Sequence, residues 1–358
     1  MKRRTERPEL LAPAGSAEAL YAAVEAGADA VYLGVADSDF NARAYARNLT
    51  HQELSSLIPY AHAHGTRVYV AMNTLQYDRE LSAFADEVAE LEALGADALI
   101  VADVGCMRLI AERYPHIELH ASTQAFAHNL ATADALADLG CSRVVLARET
   151  SLTDFSAITA AARAEIEVFL HGALCVSHSG QCLFSSIVGG RSGNRGACAQ
   201  PCRLPYNGSY PLSLKDLCLA SHIPALLSSG VSSLKIEGRM KSADYVFGVT
   251  TVYRRLLDEG RAATADEIEA LGRLFSRDGF TDAYFTERIG PRMLGVRRES
   301  DKAESRSAEK REFSPLPVPI CAEATVRADE PLSLSALIPN PRRPMRRCLS
   351  RPRGKGRG

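Results

Sequence analysis

From Pro8 onward the chain alternates short, nearly continuous runs of Val, Ile, Leu and Ala with longer segments whose apolar residues recur every three or four positions. The first pattern suits a strand covered on both faces, and the second suits a helix with one buried face. Residues 9–15 (ELLAPAG) read as the first strand. Ser16 caps the helix that follows, with Leu20, Ala23 and Val24 along its face and Gly27 at its end. The second strand is 30–35. After a looser stretch at 37–49, Thr50 caps the helix HQELSSLIPYAHAHG, which leads into a strand at 67–73. A helix near 80–94 precedes the strand 98–103, and one near 106–113 precedes 118–122. Strands at 143–149, 166–172 and 233–239 complete the series, and glycine ends most of the intervening helices.

Eight buried strands alternating with helices over roughly 240 residues predict an α/β fold, a TIM-like (β/α)8 barrel spanning 8–260. An open doubly wound sheet is the alternative, but no Gly-x-Gly-x-x-Gly follows the first strand. In a barrel the functional mouth lies at the C-terminal ends of the strands. Those ends carry Asn73, Asp103, His120, Ser122 with Gln124, Arg148, Glu149, His171, Glu237 and Arg239. Lys235, Glu237 and Arg239 alternate along one strand and so share a face. Three charges on one face of a buried strand are costly unless paired or used, which marks them as functional. Arg148 and Glu149 also suit a plain ion pair, and His120 suits a hydrogen-bonded core position.

Composition changes the picture at one place. Four of the nine cysteines fall in a single glycine-rich segment after the seventh strand, 172–203. Six residues separate Cys175 from Cys182, fifteen separate Cys182 from Cys198, and three separate Cys198 from Cys202. Four thiolates suit either zinc or an iron-sulfur cluster. Only Cys198 and Cys202 have the tight spacing of a structural zinc pair, which leans the reading to iron-sulfur. Ordinary buried thiols are the bland alternative, but buried thiols sit in apolar periodic segments, whereas these lie among Gly, Ser, Asn, Arg and Gln. Disulfides are disfavoured because Met1 to Arg7 does not resemble a secretory signal. Cys106, Cys141 and Cys321 lie in apolar contexts and read as core, and Cys218 as a spare ligand outside the set.

The composition is that of a soluble globular protein, 46% hydrophobic and 24% charged, and no run approaches a membrane span. The formal charge of −1 conceals an asymmetry. Eight of the 42 basic residues lie in 340–358, which holds no acid, leaving 34 basic against 43 acidic residues and a net of −9 elsewhere. Such a body does not favour non-specific nucleic-acid binding, so any nucleic-acid contact needs a local basic patch. There is no His-Glu-x-x-His, Gly-x-Ser-x-Gly or Walker loop.

The blocks PELLAPAGSAEAL, GADAVYLG, HASTQAFAHN, EVFLHGALCVSHSGQCLFSS, GNRGACAQPCR, LSLKDLC and SLKIEGRMKSADYV together resemble peptidase family U-32, the collagenase-like peptidases, over about residues 8–300. The resemblance implies oxygen-independent hydroxylase chemistry, whose branches act on a tRNA wobble uridine, a 23S ribosomal RNA cytidine or the ubiquinone ring. It implies a 4Fe-4S cluster held by Cys175, Cys182, Cys198 and Cys202, and prephenate as the hydroxyl donor. The segments GGRSGNRGACAQPCRLPYNG and SRDGFTDAYFTERIGPRMLGV look more like the long ribosomal-RNA type than the tRNA type. The expected function is therefore hydroxylation of a 23S rRNA cytidine, with tRNA hydroxylation or U-32 peptidase activity as alternatives. A purely structural role for the cluster is a third class.

Within that reading Arg148, Lys235 and Arg239 are candidates for holding a dicarboxylate donor. His171 and Glu237 are candidates for proton transfer, and Asn73, Asp103, Gln124 and Glu149 for further substrate contacts. The expected partners are an RNA substrate, prephenate and the iron-sulfur assembly machinery, without a membrane and in the cytoplasm. Beyond the barrel, 261–311 reads as a helical or irregular extension, and 312–339 as the start of a β-rich C-terminal module. Residues 340–358 read as a disordered basic tail. A truncated or out-of-frame end is the expected origin of that tail, with an RNA-binding arm as the alternative.

Overall fold

The computed structural model describes residues 7–43, 46–298 and 311–318, and the backbone of 321–325 and 333–337. The eight predicted strands are present at the predicted places. β1 (Glu9–Pro13), β2 (Ala30–Leu33), β3 (Arg67–Met72), β4 (Ala98–Val101), β5 (Glu118–Ala121), β6 (Arg143–Val145) and β7 (Glu165–Gly172) pair in parallel in chain order. β8 (Asp216–Cys218) steps outside the round and pairs antiparallel with the end of β7. β9 (Ser233–Ile236) then pairs in parallel with both β7 and β1, closing an eight-stranded barrel.

Ten α-helices are described among these residues: α1 (Ala17–Glu25), α2 (His51–Ala63), α3 (Leu81–Ala93), α4 (Val104–Arg113), α5 (Leu130–Asp138), α6 (Leu152–Ala161), α7 (Phe184–Gly189), α8 (Ile223–Ser228), α9 (Ala243–Glu259) and α10 (Ala265–Leu274). Ser16 Oγ accepts from Ala19 N, and Thr50 with Glu53 forms a complete capping box, so both predicted caps are made. The main core fills the shell between strands and helices, with Leu10, Leu33, Val70, Leu99 and Leu234 facing outward onto it. None of the described helices is long and apolar enough to cross a membrane.

The barrel interior is built differently. Around Leu11, Ala30, Tyr69 and Ala98, its lower end is closed by charge. Arg143 donates to Glu9 Oε1 (2.6 Å), Glu165 Oε2 (2.8 Å) and Glu167 Oε2 (3.4 Å). Glu9 also accepts from Arg67, from the Tyr69 hydroxyl (2.6 Å) and from Ser233 Oγ (3.0 Å). Glu9, Arg67, Arg143 and Ser233 each begin a strand, which places this layer at the bottom of the barrel. Buried charges are tolerable only when paired in this way. His120 is buried in the same interior, its ring edge-on to Tyr69.

After α9 the chain adds α10 and β10 (Phe280–Thr281), which pairs in parallel with β8. Neither β8 nor β10 was expected, because strands of three and two residues are too short to carry a periodic signal. β11 (Cys321–Thr325) and β12 (Ser333–Leu337) form an antiparallel pair. Residues 340–358, with the expectations for the basic tail, lie outside the described residues.

Candidate functional site

Above the ionic layer the barrel opens into a cavity of about 430 Å³, a volume suited to a small ligand or a single nucleobase. Lys235 lies at its depth. The amine donates to Glu167 Oε1 (2.9 Å) and sits 4.3 Å from the Tyr32 ring centroid. Lys235 thus joins the ionic layer to the cavity.

One wall is cationic. Arg148, just past β6, donates to Glu237 Oε2 (2.9 Å), and its guanidinium carbon lies 3.9 Å from the Phe169 centroid. Arg43 approaches the other oxygen of Glu237 at 3.8 Å. Burial pushes the Glu237 carboxyl up, but Arg43, Arg148 and Arg239 outweigh it and hold the group below its usual range. Glu237 is therefore a carboxylate that organises arginines. Arg239 is 5% exposed and its Nη1 has no hydrogen-bond partner. Burial first, and Arg43 second, lower it to about 10. Another part of the lining is neutral: Asn73 accepts from Ala42 N (2.9 Å) and donates to Ser122 Oγ (3.3 Å), and Gln124 also lines the cavity.

The 172–203 segment forms the roof, and all four predicted cysteines, Cys175, Cys182, Cys198 and Cys202, line the cavity as free thiols. Two close approaches seat this segment. Gly172 has φ +111°, and a Cβ there would meet Glu237 O at 2.6 Å; Gly180 has φ +75°, and a Cβ would meet Gln124 O at 2.4 Å. Glu149 accepts from Ser179 N (2.9 Å) and Oγ (2.8 Å). Arg195 donates to Glu80 Oε1 (2.8 Å) and to Leu75 O (2.6 Å). Arg203 donates to Leu174 O (2.6 Å) and Leu214 O (2.5 Å), tying the neighbour of Cys202 to the neighbour of Cys175.

The structure brings Asn73, Gln124, Arg148, Lys235, Glu237, Arg239 and the four cysteines to one cavity, and places three predicted residues elsewhere. Asp103 caps α4, accepting from Cys106 N (2.9 Å) and Gln76 N (3.1 Å). Glu149 faces the roof segment from outside the lining. His171 is turned out of the barrel. Phe169 pairs with Lys235 but His171 pairs with Ile236, so an extra residue in β7 shifts the register. The imidazole then packs against Tyr245, Tyr253 and Phe280, its Nδ1 3.1 Å from the Tyr253 hydroxyl. Burial brings it down to about 3, so it stays neutral.

Burial pushes the Cys182 and Cys202 thiols up, and the neighbouring Cys175 and Cys198 add to that. Four thiols gathered at one roof are a soft donor set that can hold a metal ion or a cluster. Among the described residues no three His, Cys, Asp or Glu side chains converge as ligands of one metal ion. A single zinc needs its sulfurs at about 2.3 Å from one centre. A multi-iron cluster, in which each thiolate takes a different iron, needs no such convergence on one centre.

The model of peptidase family U32 matches residues 15–294. The chain belongs to peptidase family U32. It is 41% identical over 292 residues to the 23S rRNA 5-hydroxycytidine C2501 synthase of Escherichia coli, covering 78% of this chain and 43% of that protein. It is 35% identical over 304 residues to tRNA hydroxylation protein P1 of Bacillus subtilis, covering 78% and 71%. With a collagenase of Porphyromonas gingivalis it shares 33% over 320 residues, covering 79% and 74%. This U32 chain thus spans less than half the length of the ribosomal-RNA synthase it resembles.

Sequence reasoning missed several lining residues of the U32 cavity, namely Arg43, Arg203, Lys241 and Arg277. Arg43 lies in a stretch without periodicity and gave no signal. Lys241 had one: it continues the alternation of Lys235, Glu237 and Arg239 past the end of the strand.

Proposed function

We propose that this chain is an RNA hydroxylase that uses prephenate as hydroxyl donor and acts on a 23S ribosomal RNA cytidine. RNA hydroxylation is the coarser part of this reading, and the two named RNA-modifying relatives support it. The observation that carries the rest is one cavity lined by both the four cysteines and a wall of buried arginines. Cys175, Cys182, Cys198 and Cys202 would hold a 4Fe-4S cluster, which supplies one-electron chemistry or an open iron site when bound.

The chain's own residues then divide the work. Arg148 and Arg239 pair with the carboxylates of the donor, for which guanidinium is well shaped. Lys235 sets the cationic depth. Asn73, Ser122 and Gln124 offer amides and a hydroxyl, the groups that read the edge of a nucleobase turned out of its stack. Glu237 keeps Arg43 and Arg148 in place and accepts a proton if one is released beside it.

The collagenase relative motivates a second reading, a thiol peptidase. Among the described residues no histidine lines the cavity, so a cysteine nucleophile there lacks its usual base. The test is mass spectrometry of 23S rRNA and tRNA nucleosides from a strain lacking the gene. Loss of a hydroxylated cytidine, restored by the wild-type gene and not by Cys198→Ala, is expected. Unchanged RNA, with gelatin cleavage that survives removal of iron, would overturn the proposal in favour of the peptidase.

A further inference from the structure

Lys241 stands just before Ser242, the cap of α9, and its side chain reaches the cavity wall. Among the described residues its amine makes no hydrogen bond and no ion pair. Nζ instead lies 2.8 Å from the Phe275 centroid and 5.7 Å from that of Tyr245. Lys235, by contrast, is held by Glu167 at 2.9 Å. The charged groups around Lys241 are Arg277 and Arg297, which disfavour its proton, and Asp216 and Glu237, which favour it. Burial outweighs all of them, and the amine is brought down to about 7. The Phe275 face attracts an ammonium but supplies far less than the lost hydration. A desolvated lysine beside other cations is the environment that makes an amine nucleophilic at neutral pH.

Arg277 lines the same cavity and contacts Asp216 through Nη1 (2.6 Å). The rest of its guanidinium, whose carbon lies 5.1 Å from the Phe275 centroid, makes no further hydrogen bond among the described residues and can donate to a ligand carboxylate. Amine and guanidinium together select a ligand with a carbonyl next to a carboxylate.

We infer that Lys241 is a catalytic nucleophile that forms an imine with the ketone of a 2-oxo acid bound in this cavity. The inference deepens the proposed function, since prephenate carries such a ketone, and rests on that reading for the identity of the ligand. The Nζ lone pair adds to the ketone carbon, and the carbonyl oxygen leaves as water carrying both amine hydrogens. A C=N bond replaces C=O; nothing is oxidised or reduced, and no co-reactant is consumed. The imine holds the donor at a fixed depth and makes an electron sink of the carbon that was the ketone.

The test is trapping with borohydride. Purified protein is incubated with pyruvate or prephenate, reduced, and mapped by peptide mass spectrometry, with calorimetry of prephenate binding in parallel. The expected result is a peptide containing Lys241 that gains the ligand's mass less one oxygen. The adduct should be absent in Lys241→Arg and in Lys241→Met, which keeps the apolar contact with Phe275. Its rate of formation should rise with pH through about 7 and then level. An adduct on Lys235, or prephenate that binds and is never trapped, overturns the inference and leaves the donor reading intact. Trapping of pyruvate at Lys241 without prephenate binding does the reverse.

Discussion

At the scale of single residues, the decisive feature is how each buried charge is partnered. Glu9 is 7% exposed and accepts from Arg67, Tyr69, Arg143 and Ser233. Burial raises its carboxyl, but Arg143 and Arg67 outweigh it and bring it from 4.5 to about 2. A depressed folded-state value stabilises the fold above the unfolded value, and that stability is lost as pH falls. The melting temperature should therefore drop between pH 4.5 and about pH 2, a loss on the order of 3 kcal/mol. Arg143→Ala should cost about 3 kcal/mol at neutral pH, since it takes the largest cationic partner from buried Glu9, leaving it Arg67, and leaves Glu167 with Lys235 alone, and should flatten the acid limb. Denaturant melts at several pH values check both. Arg239 differs, because its Nη1 has no partner within the protein. Arg239→Ala should leave the melting temperature nearly unchanged and weaken prephenate binding by about tenfold to a hundredfold, as expected for a lost charged hydrogen bond. Calorimetry decides it, and unchanged affinity would remove Arg239 from the proposed donor site.

At the scale of elements, the roof segment is placed by close backbone approaches more than by its own secondary structure. Ala at position 180 would put a Cβ 2.4 Å from Gln124 O in a left-handed backbone, costing about 1–2 kcal/mol for the conformation alone. The segment must lift, and Cys175 and Cys182 lift with it. Gly180→Ala should thus lower iron bound per chain while Gly189→Ala, which has nothing within 4 Å, should not. Equal iron in the two variants would show that the approach to Gln124 does not seat the cysteines. The same scale explains what the chain disclosed in advance. Residues 30–33 and 98–101 are apolar at every position, so strands buried on both faces were legible without a structure. His171 was misplaced because alternation along β7 predicts an inward side chain, and a one-residue shift after Phe169 is invisible in sequence. Asp103 was read as a strand-end functional group when its local role, a helix cap three residues before Cys106, was equally open.

At the scale of the whole molecule, closure of the barrel and the placing of the four cysteines rest on separate contacts. The ring is closed by β9 against β1 and β7, and its core lies between strands and helices. None of the four cysteines belongs to that core or to a barrel strand, and their thiols line only the roof of the cavity. A metal that binds a preformed fold stabilises it by mass action without being required for folding. Protein purified without oxygen should therefore carry about four irons and four sulfides per chain. Cys175→Ala and Cys198→Ala should lose iron and sulfide together while keeping the far-ultraviolet dichroism of the intact barrel. A single zinc retained by the wild type would instead overturn the cluster reading, since zinc demands that the four thiols converge on one centre. Collapse of the barrel in both variants would mean that the roof is part of the folding unit, and that the arginine wall beneath it is positioned by the cluster instead of by β6 and β9.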